Sequence, residues 1–113
     1  MVTVSNLTRA CVLADRAEIA TSAKQRMIGL LSRRTFEAGE ALIFPQCNAI
    51  HTYFMRFSID VVFLDAHGIV VKMVEDLNPF HLAWAPHAQM TIELPAGTVQ
   101  KSQSHIGEVL VIT

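Results

Sequence analysis

From residue 41 onward the chain is a series of short apolar segments separated by turn-forming residues, and that punctuation leaves room for little except strands. The segments are 41–44, 49–55, 59–64, 69–74, 81–85, 90–94 and 108–112. Asp65-Ala66-His67-Gly68 separates two β-branched runs and predicts a hairpin, with Gly68 supplying a backbone position of positive φ. Pro95-Ala96-Gly97 ends the strand before it, and 98–104 reads as one helical turn. The last strand carries no charge over 109–112 and is expected inside a sheet. Strand after strand at this spacing is the pattern of an all-β sandwich or barrel.

The N-terminal third differs. Residues 2–7 and 11–19 read as two further strands, whereas 22–33 has helical periodicity. Ser22-Ala23-Lys24-Gln25 fits a capping box, and Ala23, Met27, Leu30 and Leu31 form one apolar stripe. Arg26, Gly29 and Arg33 lie along the adjacent edge of that helix. Gly29 costs about 1 kcal/mol relative to Ala in a helix interior, which points to close approach by another segment. No repeat or linker divides the sequence, so residues 1–113 are read as a single domain.

Apolar residues make up 51% of the 113 and charged ones 17%, enough for a core that needs neither disulfide nor metal, and the expected state is a monomer or a weak homo-oligomer. The formal net charge of -1 offers no global attraction to nucleic acid or to anionic membranes, and no run is long enough to span a bilayer. No nucleic-acid or membrane partner is expected on these grounds. The first twenty residues lack the apolar centre of a secretory signal, so the expected location is cytoplasmic. Cys11 and Cys47 stand far apart with no paired spacing and are read as reduced thiols.

Four blocks occur in an order that resembles a bacterial and archaeal family catalogued as domain of unknown function 192. They are Arg26-Met27-Ile28-Gly29-Leu30-Leu31-Ser32-Arg33, Ile43-Phe44, the stretch from Ile50 to Asp65, and Glu93-Leu94-Pro95-Ala96-Gly97. Leu31 stands where the family pattern has Met, and Ser58 where it has Pro. The version with Cys47, Ile50-His51-Thr52 and Met55-Arg56 resembles a subgroup without the secretion leader of other members. The resemblance implies a small jelly-roll-like β sandwich with one packed helix. It implies no reaction.

The stretch from Cys47 to Asp65 sets polar side chains inside a strand-forming block, and it supplies most of the candidate site residues. In an extended chain Cys47 and His51 project from one face about 13 Å apart, too far for a thiolate and its base. The five histidines lack H-x-H or H-x-x-x-H spacing, and His51, His81, His87 and Asp60 are the one coherent metal set. No cofactor is expected. Arg26, Arg33 and Arg56, with His51 and Asp60, are read as a pocket for a small polar or anionic ligand, because guanidinium groups pair with carboxylates and phosphates through parallel donors. The opposing reading pairs Arg26 and Arg33 with Asp60, Asp65 or Glu93 as structural ion pairs. Tyr53, Phe54, Phe57 and Phe63 are expected in the core. The Pro-flanked segment 80–86 is expected along a surface edge, with Trp84 as its contact residue.

A non-catalytic binding or accessory domain therefore leads. A small hydrolase or metal enzyme using His51 and Asp60 is one alternative, and a protein-interaction module working through sheet edges and Trp84 is the other.

Overall fold

The computed structural model describes residues 1–21 and 35–113; the predicted helix, with Arg26, Gly29 and Arg33, falls outside the described residues. The described chain forms nine strands and one short helix: β1 (Val2–Asn6), β2 (Cys11–Ile19), β3 (Gly39–Pro45), β4 (Ala49–His51), β5 (Ile59–Leu64), β6 (Val70–Leu77), β7 (Leu82–Trp84), β8 (Met90–Pro95), α1 (Thr98–Ser102) and β9 (Leu110–Ile112). The mainly β fold expected from the punctuation is the fold observed. Seven strands make one curled sheet in the order β6-β5-β8-β3-β2-β1-β9, and β4 and β7 pair in a separate two-stranded sheet. The neighbours in the large sheet are antiparallel except β2 and β3, which run parallel.

The curl brings the two ends of the strand order together. Ile69 bridges Val109, and backbone bonds join Val70 N to Glu108 O at 2.9 Å and Leu110 N to Gly68 O at 2.9 Å. Thus β9 is terminal in the strand order yet tied on both sides, which satisfies the uncharged last strand in its own way. The 65–68 hairpin tip is part of this junction: Gly68 has φ 79°, and a Cβ there would stand 2.6 Å from the Leu110 carbonyl oxygen, so both the turn and the closure exclude a side chain. Asp65 Oδ1 accepts the Ile69 and His67 amides, and these bonds hold its carboxyl below the usual range.

Both faces of the central strands are covered. Inside the curl lie Val4, Ile43, Val62, Leu64, Ile92, Leu94 and Leu110. The outer face carries Leu42, Phe44, Ile59, Val61, Phe63 and Ala83, the last contributed by β7 of the small sheet. Every residue of β5 is buried, which is why Ile59-Asp60-Val61-Val62-Phe63-Leu64 reads as a nearly continuous apolar run without the alternation of a one-sided strand.

Candidate functional site

The segment 49–55 was expected to be one strand, but β4 stops at His51. Thr52 ends it. This fully buried residue donates its hydroxyl to Asn78 O at 2.7 Å and accepts the His81 amide on the same Oγ1 at 2.9 Å. Its own amide donates to His81 O at 2.9 Å, and its carbonyl accepts the amides of Met55 (3.2 Å) and Phe80 (2.9 Å). One side chain thereby fastens two reversals of the chain, 52–55 and 78–81, against each other.

Both reversals place a phenylalanine where a turn with positive φ at its third position ordinarily takes glycine or asparagine. Phe54 has φ 65° and Phe80, preceded by Pro79 at the preferred second position, has φ 67°. For a bulky side chain such a conformation costs on the order of 1–3 kcal/mol. The rings are nevertheless exposed, at 73% and 62%, and meet edge to face at 5.7 Å. Tyr53 is also exposed, stacked on His51 at 5.1 Å and tilted against Phe80 at 6.5 Å. The core positions expected for Tyr53 and Phe54 are therefore corrected: the chain turns at Thr52 before the strand alternation can carry them inward. Phe63 is in the core, Phe57 packs half-buried against it, and Trp84 is exposed on the surface segment as expected.

The predicted site residues divide. His51 is exposed, and its Nδ1 accepts the Tyr53 amide at 3.3 Å, which leaves the proton of the neutral ring on Nε2. Arg56 is exposed, two residues beyond Phe54, and has no hydrogen-bond or ion-pair partner among the described residues. Asp60 is different. It is fully buried, with Oδ1 accepting the Asp76 amide at 2.9 Å and Oδ2 the amides of Gly97 (3.1 Å) and Val99 (2.9 Å). Those bonds fix the left-handed corner at Asp76, φ 52°, and the start of α1. No hydrogen bond joins His51 to Asp60 among the described residues. Cys47 Sγ donates to Ala49 O at 3.1 Å rather than to a base, and Cys11 and Cys47 are both free. Among the described residues no three His, Cys, Asp or Glu side chains cluster as metal ligands.

Glu93 was read from the sequence as part of the family block 93–97 and as a candidate ion-pair partner for arginine. On β8 it pairs with Val61 of β5 and Leu42 of β3, on the face opposite Asp60, whose own partner is Leu94. It is 5% exposed, has no polar partner among the described residues, and burial pushes its carboxyl from 4.5 up to about 8. Burial thus favours its protonated form. A second polar cluster, at the far end of the sheet, is internally satisfied: Asn6 donates to Ser104 Oγ and Glu108 Oε1, both at 3.0 Å, and Arg9 Nε meets Glu108 Oε2 at 2.7 Å.

The family model for domain of unknown function 192, described as "Uncharacterized ACR", matches residues 5–112. The chain belongs to that family. A member from Thermococcus sibiricus, a "UPF0127 protein", is 32% identical over 109 residues, covering 91% of this chain and 70% of its own length. Two solved structures share the fold of this chain. One, from Sinorhizobium meliloti and described as a putative transcription regulator, superposes with a TM-score of 0.82 at 20% identity, covering 97% of this chain and 90% of that one. The other, a protein of unknown function from Novosphingobium aromaticivorans, gives a TM-score of 0.82 at 19% identity over 97% of this chain and 82% of its own. At such identities the likeness is one of fold, and no helix among the described residues of this family member is long and apolar enough to cross a membrane.

Proposed function

We propose that this protein is a non-catalytic binding domain for a small polar or anionic ligand, received where the 51–56 turn meets the 78–81 turn. One observation carries the reading: adjacent left-handed corners hold Phe54 and Phe80 open to water, so conformational energy maintains a display that contributes little to the core. Beside it Arg56 has a guanidinium free of any carboxylate among the described residues, and His51 offers Nε2. Arg26 and Arg33 remain further contacts in this reading, and Asp60 acts as a positioning residue. The hydrolase alternative is weaker because both Asp60 oxygens are already occupied by backbone amides. The domain is taken to comprise the whole chain and to work in the cytoplasm.

Citrate and phosphate titrated into the protein, followed through backbone amide resonances, test the reading. Saturable shifts at Tyr53, Phe54 and Arg56 are expected, weakened roughly tenfold, about 1.4 kcal/mol, in Arg56→Gln. Shifts that fail to saturate, or that are identical in the variant, would sink it.

A further inference from the structure

The small sheet has two unlike faces. Ile50, Thr52, Ala83 and Ala85 point inward, and the alternate residues point out: Trp84 pairs with Ala49, Leu82 with His51, and Phe80 follows beside Tyr53. Trp84 is 58% and Leu82 57% exposed, so with Tyr53, Phe54 and Phe80 they form one continuous apolar surface on the order of 600 Å². That is as large as the biggest patch on a typical monomer. It falls short of the roughly 800 Å² per partner of a standard protein interface, so a stable homodimer built on it alone is disfavoured.

Charge narrows the occupant. The chain holds ten acidic residues, yet none lies in 46–58 or 78–90, the segments that build this surface; the nearest exposed acid along the chain is Asp76. Among the described residues the fixed charges at its margin include two cations: Arg56, and Lys72, whose Nζ bonds Trp84 O at 2.7 Å and lies 5.5 Å from the centre of its ring. A single-stranded nucleic acid would need open ring faces and several phosphate contacts. Here His51 covers a face of Tyr53, Phe54 and Phe80 pack on each other, and among the described residues Arg56 and Lys72 are the cations at the margin. A surface of projecting Phe, Leu, Tyr and Trp side chains with a basic margin suits a bilayer interface, which demands no shape complementarity and accepts ring and headgroup contacts together.

We propose that the outer face of β4 and β7 docks peripherally on a membrane surface carrying anionic lipids, with Phe54, Phe80, Leu82 and Trp84 entering the interface and Arg56 and Lys72 meeting headgroup phosphates. The absence of a membrane partner was expected from net charge and from the lack of a spanning segment; neither bears on a local patch. The proposal rests on the anion-binding reading above and assigns its anion to lipid.

Sedimentation of the full chain with phosphatidylcholine vesicles, with and without an equal share of phosphatidylserine, tests it beside the citrate titration. Binding to the anionic vesicles, reduced by salt, is expected; Leu82→Ser with Trp84→Ser, both exposed on β7 and outside the citrate site, should lower partitioning tenfold or more while the citrate shifts persist. Phe54→Gly with Phe80→Gly provides a second check on vesicle partitioning alone, since glycine suits both positive-φ corners and keeps the fold. Citrate binding without vesicle binding overturns the membrane assignment and spares the anion reading, whereas binding of neither removes both. Vesicle binding undiminished in the glycine and serine variants also overturns the proposal. So does binding of an oligothymidylate in place of vesicles, or a concentration-dependent dimer that Phe80→Gly dissolves.

Discussion

The corner organised by Asp60 and the corner organised by Thr52 use the same device to opposite ends. In each, one fully buried polar side chain takes up several backbone groups and holds neighbouring turns in left-handed conformations. At Asp60 the result faces inward: Val99, whose amide it binds, drops into the core inside the curl. At Thr52 the result faces outward, and the residues held at positive φ are the two most exposed phenylalanines. A buried hydrogen-bonding hub is therefore not by itself a sign of stability or of function. What the fastened turns present, core or water, decides which.

If that distinction is right, removing the inward hub should cost most. Asp60→Ala strands the amides of Asp76, Gly97 and Val99 without an acceptor and is expected to destabilise by about 4–6 kcal/mol in a denaturant melt. A loss under 1 kcal/mol would show that water or a local shift replaces the carboxylate.

Glu93, one residue along the ladder and on the other face, sharpens the contrast because no amide of the described residues donates to its carboxyl. The unfolded chain ionises it near 4.5 and the folded chain near 8, so between those values the folded state holds a proton the unfolded state has lost. Its favourable contribution is complete below about 4.5 and is lost as pH rises to about 8, on the order of 3–5 kcal/mol in all. Melts across that window should show the decline in the parent and a flat profile in Glu93→Gln; equal slopes would place the titration elsewhere.

The outward hub should cost least. Thr52→Val removes the hydroxyl shared by Asn78 and His81 and is expected to lower stability by about 1–3 kcal/mol while loosening the ring cluster. Nuclear Overhauser contacts between Phe54 and Phe80 that survive unchanged would show the corners do not depend on Thr52.

The sequence by itself determined the strand-rich class, the 65–68 hairpin, the helical turn after Gly97 and the core position of Phe63, because those depend on local periodicity and on turn residues acting at short range. It also carried a signal for the Phe80 corner, since Asn78-Pro79 favours a turn whose next residue takes positive φ. Phe54 carried none: Ile50-His51-Thr52-Tyr53-Phe54-Met55 reads as a strand, and only the bonds from Thr52 to Asn78 and His81, some thirty positions away in the chain, break it. Likewise the identity of Asp60 as an inward clasp and of Glu93 as a buried acid with a raised pKa was decided by tertiary structure. Adjacent acids on paired strands point to opposite faces, and whether amides or hydrocarbon await them there depends on residues that the fold, not the chain order, brings near.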